Sequence, residues 1–254
     1  MKAIFIGAGN LATRLSMAML KAGIVIEQVF SRTEEHAYEL AEKLECMWTI
    51  RVEDIYDDAD LYIFSLKDSA LRDVVAKLRP NDGLWVHTAG SMPMDVFKGI
   101  VPRYGVLYPL QTFSKGREVD FSRIPLFLEA SGAKEETLLR TVADLLSDNV
   151  RFLSSEKRKS LHLAAVFACN FTNHIYALAE KILERQQILG DVLLPLIDET
   201  AAKVHVMSPA MAQTGPAIRY DENVIHKHLA MLEDPDMRKL YEMLSRSIYK
   251  EAQK

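Results

Sequence analysis

Directly after the apolar run 3–6 the chain reads Gly7-Ala8-Gly9-Asn10-Leu11-Ala12 and then continues as an amphipathic segment to Gly23. Glycine weakens both strand and helix, so two of them at this junction mark a place where backbone geometry outranks propensity. The first permits a tight strand-to-helix turn, and the second lets another group approach the backbone closely. Ala12, small at the third position, allows the helix to pack hard against a sheet. A strand, a glycine turn and a helix in this order constrain the fold to βαβ units on a parallel sheet.

The residues up to 153 agree with that constraint. Short β-branched runs at 25–30, 61–65, 84–87, 105–107, 126–129 and 150–153 alternate with helical patterns at 10–22, 34–44, 69–78 and 135–147. Gly23 follows the first helix, Asp68 can cap the third, and Pro80-Asn81-Asp82-Gly83 is a turn. The expected class is α/β, a Rossmann-like doubly wound and mainly parallel sheet. After residue 153 the pattern changes. From 155 to about 187 runs one helical stretch without proline or glycine, and further helices are expected near 191–206, 222–232 and 236–251. The chain therefore reads as two domains, 1–153 and an all-α domain at 154–254.

Composition bounds the partners. Apolar residues make up 49% and charged ones 26%, which is ordinary for a globular protein, and the net charge of −4 gives no reason to expect nucleic acid or anionic lipid. The basic stretch 156–159 reads as a solvated first helical turn. Cys46 and Cys169 lie far apart without metal spacing, so no metal site is expected and both read as buried small hydrophobes. The run 3–6 is too short for a signal peptide, and no apolar run approaches the ~18 residues of a membrane span. A cytoplasmic protein is expected.

Gly7, Gly9, Asn10, Leu11 and Ala12 satisfy the G-x-G-x-x-G/A dinucleotide fingerprint, in which the free N–H groups of the helix start bind pyrophosphate. Taken alone, the same pattern is a tight turn and no more. At the end of the second strand an NAD site wants an acidic residue for the ribose hydroxyls, whereas this chain reads Ser31-Arg32-Thr33. An arginine between two hydroxyls suits a 2′-phosphate and points to NADP (NADPH). The alternative leaves Arg32 merely exposed and Thr33 a helix cap; Glu34 and Glu35 oppose a phosphate nearby.

In a doubly wound sheet the ligand crevice lies at the carboxyl ends of the strands. Ser65 and Leu66 follow one strand there, His87 ends the next, and Tyr108 ends the one after. His87 is the natural general-acid candidate, with a loop-bonded structural histidine as its alternative; Tyr108 is the weaker candidate. On the long helix, His162, Val166, Asn170 and Asn173 or His174 recur at helical spacing, either bonding other helices or lining a cleft. Thr214-Gly215-Pro216-Ala217-Ile218-Arg219-Tyr220-Asp221 reads as a rigid loop, with Asp221 able to cap the helix that carries His226 and His228.

Together IGAGNLA, the VHTAG segment at His87, YPLQTF at Tyr108, HLAAVFACNF with His162 and Asn170, and GPAIRYD resemble a family. It is that of NADP oxidoreductases with a Rossmann-like first domain and a helical second domain, similar to deazaflavin-dependent NADP oxidoreductases and pyrroline-5-carboxylate reductases. The resemblance covers nearly the whole chain. It implies a C-terminal domain like that of 6-phosphogluconate dehydrogenase, and it names no substrate. With the clustering of His87, His162 and Asn170 at the expected crevice as catalytic candidates, the chain reads as an NADPH-dependent reductase of a small carbonyl or imine substrate bound between the domains. The family usually has histidine where Tyr108 stands and glycine where Tyr220 stands. It also implies a homodimer through the helical domain, where Phe167, Phe171, Ile175, Leu178 and Ile182 wrap too far round one helix for a single small domain to cover. The rival reading is a sensor or scaffold that binds NADPH without chemistry.

Overall fold

The computed structural model describes residues 1–254. Its sheet region runs β1 (Lys2–Ile6), α1 (Asn10–Lys21), β2 (Val25–Phe30), α2 (Glu34–Leu44), β3 (Met47–Thr49), β4 (Leu61–Phe64), α3 (Asp68–Val75), β5 (Leu84–His87), β6 (Tyr104–Pro109), β7 (Leu126–Ala130), α4 (Ala133–Asp144) and β8 (Val150–Phe152). The eight strands lie in the order β3-β2-β1-β4-β5-β6-β7-β8. Every neighbouring pair is parallel except β6 with β7. The chain leaves β1 in one direction for β2 and β3 and returns to the other side for β4. That reversal opens a crevice at the carboxyl ends of β1 and β4.

Why these runs form central strands follows from their burial. β4 and β5 are buried at every position, as is β1 from Ala3 to Ile6, so the sheet is covered on both faces and its strands are continuously apolar rather than alternating. One face packs Phe5, Val29, Ile63 and Val86 against Leu15 and Met19 of α1 and Leu40 of α2. The other packs Ile6, Phe30, Phe64 and Trp85 against Leu71 and Val74 of α3. Each such side chain contributes about 1.5–3 kcal/mol of burial. β3 has no counterpart in the sequence reading: it is a three-residue edge strand with Met47 and Trp48 exposed, too short to show a period.

The expected single helix over 155–187 is instead α5 (Ser155–Ala165), a π-helical turn at Val166–Phe171, and α6 (Thr172–Glu184). The wider turn breaks the 3.6-residue spacing on which His162, Val166 and Asn170 were aligned. Compact packing divides the chain into Met1–Asn170 and Phe171–Lys254. The composition change at 153–154 precedes that division because α5 is bolted to the sheet. Arg158, 1% exposed, pairs with Glu129 of β7 and donates to the Met92 carbonyl at 2.6 Å. Ser155 donates from N and Oγ to Glu129 at 2.9 and 2.7 Å. The expectation that residues 156–159 form a solvated turn is thereby corrected at Arg158.

The second unit continues through α6, α7 (Leu194–Lys203), α8 (Pro209–Ala212), α9 (Glu222–Met231) and α10 (Pro235–Ala252). Asp221 and Asp234 cap α9 and α10, accepting from Val224 N and Asp236 N. No helix is long and apolar enough to cross a membrane.

Candidate cofactor and proton-transfer site

Gly7 stands at φ +118°, and a Cβ built on it would fall 2.1 Å from the Ser65 carbonyl oxygen. Only glycine fits there, and its N–H donates to the Phe30 carbonyl at 2.8 Å, locking the turn between β1, β2 and β4. Gly9, the N-cap of α1, differs: no atom lies within 4 Å of where its Cβ would be. That space is open beside the helix start. Asn10 is exposed, Leu11 half-buried and Ala12 fully buried against the sheet. Ser65 and Leu66, half-buried after β4, flank Gly7.

The start of α1 has no capping side chain and no acidic residue in its first turn. Other helices of the protein fill that role themselves: α2 opens with Glu34 and Glu35, α4 places Glu135 and Glu136 in its first turn, and Asp221 and Asp234 cap α9 and α10. The free N–H groups and positive end of α1 are left for an anion from outside, so the loop fits a pyrophosphate.

At the end of β2, Ser31 is buried and its Oγ accepts from Thr33 N at 3.3 Å, while Arg32 and Thr33 are exposed. Thr33 precedes α2 without a side-chain capping bond, which leaves its hydroxyl free. Arg32 lines a cleft of about 480 Å³ with Phe30, Val52, Val74, Arg51 and Lys77. Arg51 is already paired with Glu53 at 3.0 Å and Asp54 at 3.4 Å, whereas Arg32 makes no ion pair. These residues fit a phosphate on the adenosine ribose.

The other end of the carboxyl edge is crowded. His87 is fully buried; its Nδ1 accepts from Ala89 N at 3.2 Å and its Nε2 lies 3.3 Å from the Pro93 carbonyl. Burial, reinforced by the charge of Arg158, lowers its pKa to about 4. A fully buried ring with both nitrogens on backbone atoms supports the 88–93 loop, which suits the structural alternative for His87 over the proton donor. His162, half-buried on α5, places Nδ1 3.0 Å from the Tyr108 hydroxyl. Burial pushes the Tyr108 phenol above its ordinary value, against the opposing pull of Arg158. Burial also pushes the Glu129 carboxyl up, but hydrogen bonds from Ser155 and Arg158 outweigh it and hold it below the usual range. Asn170 is exposed in the π-helical turn and bonds none of these groups. In the sequence Tyr108 ranks only as the weaker candidate, and nothing local singles out Arg158, Glu129 or Gly90. A lone acid in the apolar run 126–129 was the one signal for the buried pair. No group of three or more His, Cys, Asp or Glu side chains converges to hold a metal ion.

A glycine turn opening an uncapped helix at the crevice of a doubly wound sheet defines a Rossmann-type dinucleotide-binding protein. Residues 2–87 match the family described as NADP oxidoreductase, coenzyme F420-dependent, and residues 124–248 match a domain of unknown function, DUF2520. A structure provisionally named an NADP oxidoreductase from Bacteroides fragilis is 56% identical over 98% of both chains, with a TM-score of 0.93. The chain belongs to that NADP oxidoreductase family. The fold recurs at 14% identity in a pyrroline-5-carboxylate reductase from Streptococcus pyogenes, covering 100% of this chain and 98% of that one with a TM-score of 0.65. It recurs again at 19% identity in an imine reductase from Myxococcus stipitatus solved with NADP+, covering 100% and 93% with a TM-score of 0.61. Among curated proteins none matches.

Proposed function

We propose that the protein is an NADPH-dependent reductase of small carbonyl or imine compounds. The observation that carries this reading is the acid-free, uncapped start of α1 behind Gly7 and Gly9, with the unpaired Arg32 beside it at the end of β2. Bound NADPH supplies hydride to the carbon of the substrate. Gly7, Gly9, Asn10, Leu11 and Ala12 hold the pyrophosphate through backbone N–H groups. Ser31, Arg32 and Thr33 hold the 2′-phosphate, and Ser65 and Leu66 wall the crevice. His162, with Asn170 further along the same run, serves the substrate end.

The same reading includes a cytoplasmic homodimer formed through the helical region. In residues 171–254, Ile175, Ile182, Met231 and Leu244 are all more than a third exposed and border an apolar groove of about 390 Å³. A second copy would cover that face as an isologous interface. Light scattering on the eluting protein tests it, and the mass of one chain at micromolar concentration refutes the dimer. Titration of NADPH and NADH, followed by a panel of 2-oxo acids, aldehydes and cyclic imines read as loss of nicotinamide absorbance, tests the reaction. Binding of NADPH without oxidation by any of them would favour the sensor.

A further inference from the structure

Three elements far apart in sequence meet at one imidazole. Tyr108 stands near the end of β6, His162 on α5, and Gly90 in the loop that leaves β5. A Cβ on Gly90 would fall 2.6 Å from Cγ and Nδ1 of His162, so only bare backbone admits the ring at this position. The Tyr108 and His162 rings meet edge to face, with centroids 6.0 Å apart and planes at 76°. Tyr108 is 7% exposed and holds Nδ1 from within, whereas His162 is half-buried and its Nε2 has no protein partner. The ring is fixed on one side and open on the other.

We propose that His162 is the proton donor of the reduction, acting from Nε2, and that Tyr108 is the positioning residue that holds its ring and tautomer. This rests on the reductase reading above. The substrate carbon receives hydride with its electron pair, the π pair of C=O or C=N passes to the heteroatom, and that atom takes H+ from Nε2. The ring is left neutral with its remaining proton on Nδ1, where the Tyr108 oxygen accepts it. Water then reprotonates Nε2. An Nδ1–H held by Tyr108 in both states keeps Nε2 as the site of loss and uptake.

Tyr108 on β6, which touches the ring, feels the charge of Arg158 on α5, and His87 on β5 feels Arg158, Glu129 on β7 and Asp68, which accepts from Ser91 in the loop after β5. Between about pH 5.5 and 8.5 buried His87 stays neutral, Tyr108 keeps its proton and Glu129 stays ionised.

The test reads binding rather than turnover. NADP+ carries a positive nicotinamide and NADPH a neutral one, while the 2′-phosphate, with a second pKa of about 6, is common to both and cancels in their ratio. In the wild type, NADP+ affinity relative to NADPH should be about threefold to tenfold lower at pH 5.5 than at pH 8.5, because a donor proton on Nε2 opposes the positive charge of the oxidised ring. His162→Gln should flatten the ratio, and Tyr108→Phe should move its midpoint. A ratio that is flat in the wild type, or that still falls in His162→Gln, overturns the proposal. If His162→Gln fails to bind NADPH, Gly90→Ala, which pushes the ring aside, must flatten the ratio instead, and an unchanged ratio there also overturns it. Binding of neither cofactor by the wild type refutes the reductase reading itself.

Discussion

At the carboxyl ends of β1 and β2 the protein presents open backbone: a glycine with empty space beside it, a helix without a cap, and an arginine without a partner. At the ends of β5 and β6 it presents the reverse, a packed group of side chains in which His87, Tyr108, Arg158 and Glu129 are each bonded. The first region withholds internal partners from groups that will meet a charged ligand. The second spends internal partners to hold one ring at its rim. Mutations should separate the two: at the crowded end they cost stability first, and at the open groups, Gly9 and Arg32, they cost binding first.

The largest expected effect lies at the crowded end. Arg158→Met leaves the Glu129 carboxylate, 18% exposed, without its counter-ion and should cost about 3–5 kcal/mol in urea unfolding. Adding Glu129→Leu should recover most of that loss, because the pair's desolvation penalty disappears along with its attraction. A loss below about 1 kcal/mol for the single variant would class the pair with surface ion pairs and dissolve the contrast.

The open end was legible in the sequence and the crowded end was not, for one physical reason. Backbone that must take φ +118° or admit a neighbour at contact distance demands glycine, and Gly7 and Gly9 announce themselves by type and spacing. Tyr108 and His162 are 54 positions apart and Glu129 and Arg158 are 29 apart, so no local period signals either pairing. Arg158 sits among Lys157 and Lys159, both exposed, and only the fold singles it out. The mainly parallel sheet and the Asp221 cap followed from pattern. The π-helical turn at Val166–Phe171 did not, because an apolar run with neither proline nor glycine reads as regular helix.

The second test sets two glycines of the same motif against each other. Gly7→Ala forces a positive φ on a residue whose Cβ meets the Ser65 carbonyl, and should cost about 3 kcal/mol or more of stability. A Cβ at Gly9 meets no neighbouring side chain or loop within 4 Å, so Gly9→Val should cost about 1 kcal/mol or less, as a poorer N-cap, while removing measurable NADPH binding. Denaturation and cofactor titration on both variants decide it. Equal stability losses would show that the space beside Gly9 is not a ligand's.

A third effect of similar size belongs to pH. The pKa of His87 in the folded protein, about 4, lies below its ordinary 6.5, so the unfolded chain takes up the proton first. Its contribution to stability is complete above pH 6.5 and is lost as pH falls toward 4, at about 1.4 kcal/mol per pH unit and about 3 kcal/mol in all. His87→Gln should flatten the stability profile across that window. A wild-type profile already flat from pH 6.5 to 4 would mean that His87 protonates without strain, and the crowded end would be looser than its hydrogen bonds indicate.

The smallest effect tests the open end at its far side. Arg32 is exposed and unpaired, so Arg32→Ala removes nothing that holds the fold, and thermal unfolding should be unchanged within about 0.5 kcal/mol. What it removes is a charge-assisted contact to the 2′-phosphate, worth about 1.5–3 kcal/mol, or roughly tenfold or more in NADPH affinity. NADH, lacking that phosphate, should lose little. The ratio of NADPH to NADH affinity is therefore the quantity to measure, since a general disturbance of the cleft lowers both and leaves the ratio intact. Arg51 and Lys77 line the same cleft, but Arg51 is held by Glu53 and Asp54, and freeing Arg32 from any such partner is what fits it to meet a ligand. Equal wild-type affinities for the two cofactors would take the 2′-phosphate away from Arg32 and leave it an ordinary surface arginine.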